Sequence, residues 1–191
     1  DLVRSRGLGD VYKRQVQYRH CSMQDRASFI NGIRDVFLQE DVLCALSRMA
    51  VEETGMGNYE DKLIKNRVAA LKTPGIEDLT TSAVSGDGGL TLIEYSAFGV
   101  IGSITPTTNP TETIINNSIG MLAAGNTVVF SPHPRSRKVS LYAVELINNK
   151  LAQLGAPANM VVTVTKPSID NTNQPNTPNT CLLYTSPRPR D

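Results

Sequence analysis

The region 99–165 alternates between short apolar runs and amphipathic segments, and this pattern constrains the fold more than any other feature of the chain. The apolar runs are "GVIGSI", "NTVVFS" and "NMVVTVT", each of a length that suits a buried strand. The two segments between them carry apolar residues at helical spacing and end at a glycine. Strand, helix, strand, helix, strand with short links predicts an α/β fold, with a βαβαβ unit, a parallel sheet and right-handed crossovers.

Both ends of the chain are foreign to this pattern. "VYKRQ" near the start and "CLLYT" near the end can be encoded by the two strands of one DNA duplex, and extending that duplex departs from the sequence only at Arg188. We therefore predict that residues 1–15 and 181–191 are flanks derived from a sequencing adapter, and we exclude them from the fold prediction. The informative segment, 16–180, is expected to be an N-terminal fragment of a longer protein.

The composition of that segment excludes several classes of function. The whole chain has a net charge of +1, but the flanks hold six basic and three acidic residues, so 16–180 carries −2 and no nucleic-acid partner is expected. No apolar run approaches the roughly twenty residues of a membrane span. Cys21 and Cys44 form no CxxC pair, which predicts neither a disulfide framework nor a metal site and favours a reducing cytoplasm.

The N-terminal region, 16–75, is expected to be helical. The spacing predicts a helix over 22–55 and a second over 58–73, closed by a Pro-Gly pair. Ser22 and Asp25 have the spacing of a capping box, and Gly55 is a plausible end. The second helix is predicted to bury Leu63, Ile64 and Val68. Cys44 lies among apolar neighbours and is predicted to be a small buried residue.

Two further segments complete the predicted organisation. Residues 76–98 are expected to form a loop and a hairpin, with 76–90 loop-like and "SGDGG" able to turn the chain. The βαβαβ unit then occupies 99–168. Residues 169–180 are a polar tail, and the stretch 170–180, "DNTNQPNTPNT", is predicted to be disordered.

The first turn that could bear chemistry, 105–110, follows the first strand of the unit, at the edge of the sheet where α/β proteins bind ligands. Asn109 suits the N-cap of the next helix, Pro110 suits its first position, and Glu112 lies near the positive end of its dipole. Three hydroxyls, those of Thr105, Thr107 and Thr108, exceed what capping needs. A purely structural turn and a ligand-facing turn are both consistent with these residues, and no GxGxxG fingerprint decides between them.

The second turn, 131–135, precedes a cluster of Arg135, Arg137 and Lys138 at a helix N-terminus, where the dipole disfavours cations. The cluster is either a solvated basic edge or a site for an anionic ligand such as a nucleotide phosphate. His133 lies between two prolines, so its loop is expected to be stiff, and it is more typical of a loop histidine than of a catalytic one.

Several motifs, taken in order, resemble a known family. "VEETGMG", "DKLIKNR", "SGDGGLTLIEYSAFGVIG", "GVIGSITPTTNPTETIINN" and "NTVVFSPHPR" resemble the CoA-acylating aldehyde dehydrogenases of the aldehyde dehydrogenase superfamily. The resemblance is strongest to the propionaldehyde and acetaldehyde enzymes of diol and ethanolamine breakdown. Bifunctional aldehyde/alcohol dehydrogenases share "TTNPT" and "FSPHPR" and are the near alternative; a non-catalytic nucleotide-binding remnant is another.

This resemblance implies a partial Rossmann-like fold and an activity. A short-chain aldehyde, NAD⁺ and CoA would be converted to an acyl-CoA and NADH, through attack of a cysteine thiolate on the aldehyde. The nucleophile of the family lies beyond residue 180, so the fragment is expected to be inactive alone. The resemblance also implies a homo-oligomer with an arm near 87–98, in the cytoplasm or inside a bacterial microcompartment.

The resemblance finally assigns roles to both turns. Thr105, Pro106, Thr107 and Thr108 would line the nicotinamide end of the cofactor, and Asn109 would donate a hydrogen bond to the oxyanion. Hydrolytic relatives carry P-W-N-F-P, which aligned on the prolines places their asparagine at Thr108, so Asn109 is either the oxyanion donor or mainly a helix cap. A second set, Ser131, His133 and Arg135, is expected to bind the adenosine parts of NAD and CoA; Ser131 stands where hydrolytic relatives have lysine.

Overall fold

The computed structural model describes residues 8–165 and 182–185, with side chains described for 13–165. Its elements, in chain order, are α1 (Leu8–Tyr18), α2 (Met23–Phe37), α3 (Glu40–Thr54), α4 (Tyr59–Lys72), β1 (Ser82–Gly86), β2 (Gly89–Ile93), β3 (Val100–Thr105), α5 (Pro110–Ala123), β4 (Thr127–Pro132), α6 (Arg137–Gln153), β5 (Val161–Thr163) and β6 (Leu182–Thr185). Short 3₁₀ turns lie at Ile76–Asp78 and Pro134–Ser136. No described helix is long and apolar enough to cross a membrane.

A parallel sheet organises the fold. Its strand order is β5-β4-β3-β6, and β3 runs parallel to both of its neighbours. The first three strands with their two helices confirm the predicted α/β fold and βαβαβ unit. β6 adds a fourth strand, because the segment Leu182–Thr185 pairs with β3.

Alternation along the strands divides the core between the two faces of the sheet. Val128 and Phe130 join the main core with α2, α5 and α6, whereas Val129 packs with Val100 and Val162 in a small separate cluster. The predicted buried face of α5 is confirmed, because Ile114, Ile115, Ile119 and Leu122 are all fully buried. Because α5 follows β3 and α6 follows β4 after short links, both helix N-termini lie near the carboxyl ends of these strands.

The predicted single helix over 22–55 is wrong: the segment forms two helices, α2 and α3. Leu38, the C-cap of α2, keeps helical backbone angles, but Gln39 has ψ of 129°, which turns the chain before α3 begins. The predicted ends are confirmed. Ser22 and Asp25 form a capping box, and Gly55 ends α3 with φ of +66°, a left-handed conformation that glycine adopts without steric cost.

Helix α4 buries the opposite face from the one predicted. Of the three residues predicted to be buried, Leu63 is half-buried, and Ile64 and Val68 are exposed by 58% and 51%. The buried residues of the helix are instead Lys62, Asn66 and Ala70. The reason is that α3 and α5 offer α4 polar partners. The Asn66 Nδ2 donates to the Ser47 Oγ over 3.2 Å, and Lys62 binds groups on α5.

The predicted hairpin is confirmed, with a longer first arm than expected. β1 and β2 pair in antiparallel register from Ser82↔Ile93 to Gly86↔Gly89, so residues 82–86, which we predicted to be loop-like, form a strand. Every residue of both strands is exposed.

The flanks that we excluded contribute to the described structure. α1 includes residues 8–15, and the Gln15 Nε2 donates to the Gly125 carbonyl over 3.2 Å. The Tyr18 hydroxyl, just beyond the flank, donates to the Leu122 carbonyl over 2.7 Å. Excluding the flanks therefore missed one helix and one strand, while their adapter origin stays a prediction. The polar tail, 169–180, lies outside the described residues.

Candidate functional site

The two predicted turns meet at one edge of the sheet. β3 and β4 are neighbours and parallel, and Thr105 is in register with Pro132. Both turns therefore leave the sheet side by side at its carboxyl edge, which is where open α/β sheets bind ligands.

The residues of the first turn become more exposed along the chain from Thr105 to Thr108. Thr105 is only 1% exposed, and its Oγ1 has no hydrogen-bond partner among the described residues. Pro106 and Thr107 are half-buried, and Thr108 is exposed. An unpaired buried hydroxyl costs free energy, so a polar partner for Thr105 would stabilise this edge.

Asn109 occupies the N-cap position of α5, but its side chain does not cap the helix. Its backbone has φ of −138° and ψ of 61°, and it makes no side-chain capping bond. The Asn109 carbonyl instead accepts from Thr113, both from the backbone N at 3.2 Å and from Oγ1 at 2.7 Å. The prediction that Pro110 occupies the first helical position is confirmed, whereas side-chain capping by Asn109 is absent.

A buried lysine from α4 lies under this turn. Lys62 is 2% exposed, and its Nζ donates to the Thr108 carbonyl, to the Asn109 Oδ1 at 3.4 Å and to the Glu112 Oε1 at 3.2 Å. Glu112 forms the ion pair with Lys62, and its Oε2 also accepts from the Thr111 Oγ1 over 3.1 Å. The paired charges make burial of the lysine tolerable.

A cleft of about 440 Å³ opens beside the turn, between α4 and α5. Its polar wall includes Asn109, at the N-cap position, and Glu112 and Asn116 from α5. Its apolar wall includes Ile64 and Val68, two of the exposed apolar residues of α4. A cleft with one apolar wall and a few convergent polar groups is the usual form of a small-molecule site.

The second turn is organised by a carboxylate from α3. The two oxygens of Glu53 accept from the backbone N–H groups of Lys138 at 2.7 Å and of Val139 at 2.8 Å. The first turn of α6 therefore receives its anion from within the protein, which offsets the repulsion between its basic residues and the helix dipole.

The predicted residues of the second turn have differing surroundings. The exposed Arg135 donates from Nη2 to the Thr54 carbonyl at the end of α3 over 3.0 Å. The His133 Nδ1 accepts from the Arg135 backbone N over 3.1 Å, so in the neutral ring the proton is on Nε2, and the imidazole is exposed. Ser131 is buried at the end of β4. The adenosine-binding role of these three residues stays a prediction.

Sequence reasoning missed Lys62 and Glu53. Both lie in the quoted motifs "DKLIKNR" and "VEETGMG", but neither was singled out, because a charged residue on a helix is ordinarily solvated. Their partners are 50 and 86 residues away along the chain. The only local signal was the cation cluster at the start of α6, which required a nearby anion.

The cysteines are not part of the two turns and are absent from the described lining of the cleft. Burial, with a smaller contribution from the Asp25 charge, raises the pKa of the Cys21 thiol, which disfavours the nucleophilic thiolate. Cys44 is half-buried rather than fully buried as predicted. Its Sγ lies 4.0 Å from the Glu40 Oε1.

The sequence of the chain matches a known family. The sequence profile of the aldehyde dehydrogenase family matches residues 11–174. The chain belongs to the aldehyde dehydrogenase family. It is 49% identical over 170 residues to the propanal dehydrogenase (CoA-propanoylating) of Citrobacter freundii, which covers 89% of this chain and 36% of that protein. It is 50% identical over 125 residues to the acetylating acetaldehyde dehydrogenase EutE of Escherichia coli, covering 65% of this chain and 27% of EutE.

Solved structures of family members superpose closely on this aldehyde dehydrogenase chain. The propionaldehyde dehydrogenase of Rhodopseudomonas palustris, with bound CoA and an acylated cysteine, has a TM-score of 0.90 and 69% identity, over 93% of this chain and 41% of that one. An engineered glycolyl-CoA reductase with bound NADP⁺ has a TM-score of 0.92 and 62% identity, over 98% and 44%.

A third structure adds a cellular context for a relative. The propionaldehyde dehydrogenase from the fucose-utilisation microcompartment of Clostridium phytofermentans has a TM-score of 0.89 and 47% identity, over 94% of this chain and 41% of that one. The resemblance to CoA-acylating aldehyde dehydrogenases is thus confirmed, as is the Rossmann-like fold. The chain spans between 27% and 44% of the length of these relatives.

Proposed function

We propose that this chain is the N-terminal, cofactor-binding part of an NAD-dependent CoA-acylating aldehyde dehydrogenase acting on a short-chain aldehyde. The observation that carries the proposal is Asn109. Its amide oxygen faces Lys62 instead of capping α5, so its amide N–H₂ group is available beside the cleft between α4 and α5. Such a donor stabilises the negative charge that develops on a carbonyl oxygen under attack.

The residues of the first turn fit a dinucleotide. Thr105 offers a buried hydroxyl without a described partner, and the first N–H groups of α5 point out of the same turn. When bound, NAD⁺ accepts the hydride in the reaction. Thr105, Pro106, Thr107 and Thr108 would hold its nicotinamide end, and Ser131, His133 and Arg135 would hold the adenosine parts of NAD or CoA.

The cleft is the proposed site of the aldehyde. Ile64 and Val68 would contact its alkyl group, and Asn109 would donate to its carbonyl oxygen. The Glu53 carboxylate already satisfies two N–H groups at the start of α6, so an anionic ligand at the second turn would rely on side chains there, above all Arg135.

The test is Asn109→Ala in the full-length protein. Removal of one oxyanion donor is expected to lower kcat by about 10²- to 10³-fold in NADH production from propanal, NAD⁺ and CoA. Asn116→Ala, which alters the same cleft without touching Lys62, is the matched comparison and should change KM for propanal more than kcat. An unchanged kcat in Asn109→Ala would remove the oxyanion role.

A second test uses the 191-residue chain alone. We expect no NADH production from it, because the proposed nucleophile belongs to the part of the enzyme beyond residue 180. Activity that Cys44→Ala abolishes would contradict the proposal.

We also propose that the β1–β2 hairpin packs against a second copy of the protein. Val84 and Ile93 lie on one face of the hairpin and Leu90 and Leu92 on the other, and all four are exposed by 46% or more. An isolated two-stranded hairpin is only marginally stable in water, so apolar residues on both faces favour an additional partner. Leu92→Lys is expected to lower the oligomeric mass of the full-length protein in light scattering, whereas Asp87→Lys, in the exposed turn between the two strands, should not.

The proposed location is the cytoplasm or the interior of a bacterial microcompartment, by analogy with the Clostridium relative. Co-sedimentation of the full-length protein with microcompartment shells in its native host would distinguish these two locations.

A further inference from the structure

We propose that Lys62 is a positioning residue that fixes the orientation of the Asn109 side-chain amide. This inference rests on the oxyanion role proposed for Asn109 and adds a residue that acts through it. The observation is the bonding of the Lys62 ammonium, which touches three oxygens of the turn and of α5.

The chemistry of the two side chains favours one of the two orientations of the Asn109 amide. An amide has an accepting oxygen and a donating nitrogen, and a rotation of 180° exchanges them. A lysine ammonium only donates, so it stabilises the orientation with the Asn109 Oδ1 facing Nζ and opposes the one with Nδ2 facing it. The Nδ2–H₂ group is thereby directed away from the lysine. That is the orientation in which Asn109 can donate to an oxyanion.

The remaining contacts of Lys62 hold the ammonium itself in place. Its Nζ donates to the Thr108 carbonyl, which ties it to the backbone next to Asn109, and pairs with Glu112 one turn into α5. Lys62 is 2% exposed, so little water competes for these bonds. Glu112 offsets the lysine charge, which leaves the amide, rather than the ammonium, as the donor available at the cleft.

The direct test observes the amide in the 191-residue chain. The ¹⁵N-labelled side-chain amide of Asn109 is assigned by its loss in Asn109→Asp. We expect an order parameter near 0.85 in the unmodified chain and below about 0.6 in Lys62→Met, because the amide loses its fixed partner. Lys72→Met, an exposed lysine of the same helix, should leave the order parameter unchanged. Equal values in the unmodified chain and Lys62→Met would overturn the proposal.

A second variant covers the case in which Lys62→Met fails to fold, since it leaves the Glu112 carboxylate buried without its cation. The double variant Lys62→Met/Glu112→Gln removes both charges at nearly constant volume. It is expected to fold and still to release the Asn109 amide. A rigid amide in this folded double variant would also overturn the proposal.

The functional test is a double-mutant cycle in the full-length protein. Lys62→Met/Glu112→Gln is expected to lower kcat about tenfold or more, with KM for NAD⁺ within about twofold, because a misoriented donor weakens only the transition state. The triple variant, which also carries Asn109→Ala, should have a kcat no lower than that of Asn109→Ala alone. Additive losses would overturn the positioning role. If Asn109→Ala alone leaves kcat unchanged, the oxyanion proposal fails instead, and the amide measurement still decides the role of Lys62.

Discussion

The starts of α5 and α6 solve the same problem in opposite ways. Both helices begin after the carboxyl end of a parallel strand, and in both the first-turn N–H groups have no acceptor within the helix itself. At α6 the Glu53 carboxylate binds two of these groups. At α5 the side chain of the N-cap residue, Asn109, binds none of the first-turn N–H groups and faces Lys62 instead.

This difference separates a structural helix start from one suited to a ligand. The anion at α6 is built into the fold, so the start of α6 contributes stability, and its basic residues are balanced from within. The start of α5 gives up a capping bond, which is a local stability cost that a ligand can repay. The first turn is accordingly the better candidate for chemistry, although both were singled out from the sequence.

The largest expected effect is on the ion pair beneath the α5 turn. Lys62→Met should lower the free energy of unfolding by about 3 kcal/mol, because it leaves Glu112 buried without its partner. Urea denaturation measures the change. Adding Glu112→Gln should restore at least half of the loss, and Lys72→Met should cost less than about 0.5 kcal/mol. A double variant no more stable than Lys62→Met would contradict this account.

The second-largest expected effect concerns the Glu53 carboxylate at the start of α6. Glu53→Ala should lower the free energy of unfolding by about 2 kcal/mol, since two charge-assisted bonds to backbone N–H groups are lost. Urea denaturation again provides the measurement. The adjacent, exposed Glu52→Ala is the control and should be nearly neutral. Equal losses in the two variants would show that the α6 start does not depend on Glu53.

A smaller effect on stability is expected when either of the two asparagines at N-cap positions, Asn58 or Asn109, is replaced. The Asn58 Oδ1 accepts from the Asp61 backbone N over 2.8 Å, so Asn58→Ala should cost about 1 kcal/mol. The side chain of Asn109 makes no such bond, so Asn109→Ala should cost less than about 0.5 kcal/mol, through its weaker 3.4 Å contact with Lys62. Thermal unfolding of both variants measures the two losses of stability. A loss in Asn109→Ala as large as that in Asn58→Ala would mean that Asn109 caps α5 after all.

The smallest effect concerns a purely local cap, that of α2. Hydrogen bonds from the Ser22 hydroxyl and backbone N–H lower the pKa of the Asp25 carboxyl below its ordinary 3.8. Because the folded pKa is the lower one, this stabilisation is complete above the unfolded pKa and is lost as the pH falls through the folded pKa. Asp25→Asn should therefore lower the melting temperature near neutral pH, and this difference should shrink as the pH falls below the ordinary carboxyl pKa of 3.8. A constant difference across that range would exclude the carboxylate as its cause.

Much of the fold could be predicted because its signals are local. The strands "GVIGSI" and "NTVVFS", the capping box at Ser22 and the left-handed glycine ending α3 each depend on a few consecutive residues. The break between α2 and α3 was missed, because apolar spacing continues across residues 38–39 while the backbone turns there. The buried face of α4 was predicted wrongly, because Ile64 and Val68 line the cleft, whereas Lys62 and Asn66 bind partners on α5 and α3.

By itself the sequence determined the alternation of strands and helices in the βαβαβ unit, the cap of α2, the end of α3 and the two turns at the sheet edge, since backbone preference and apolar period act over short spans. Only the tertiary structure decided what those turns contain. The Lys62–Glu112 pair joins residues 50 positions apart, and Glu53 reaches a helix 86 positions away. A buried charge is stable only beside its partner, and that partner is set by how the helices pack rather than by neighbouring residues in the chain.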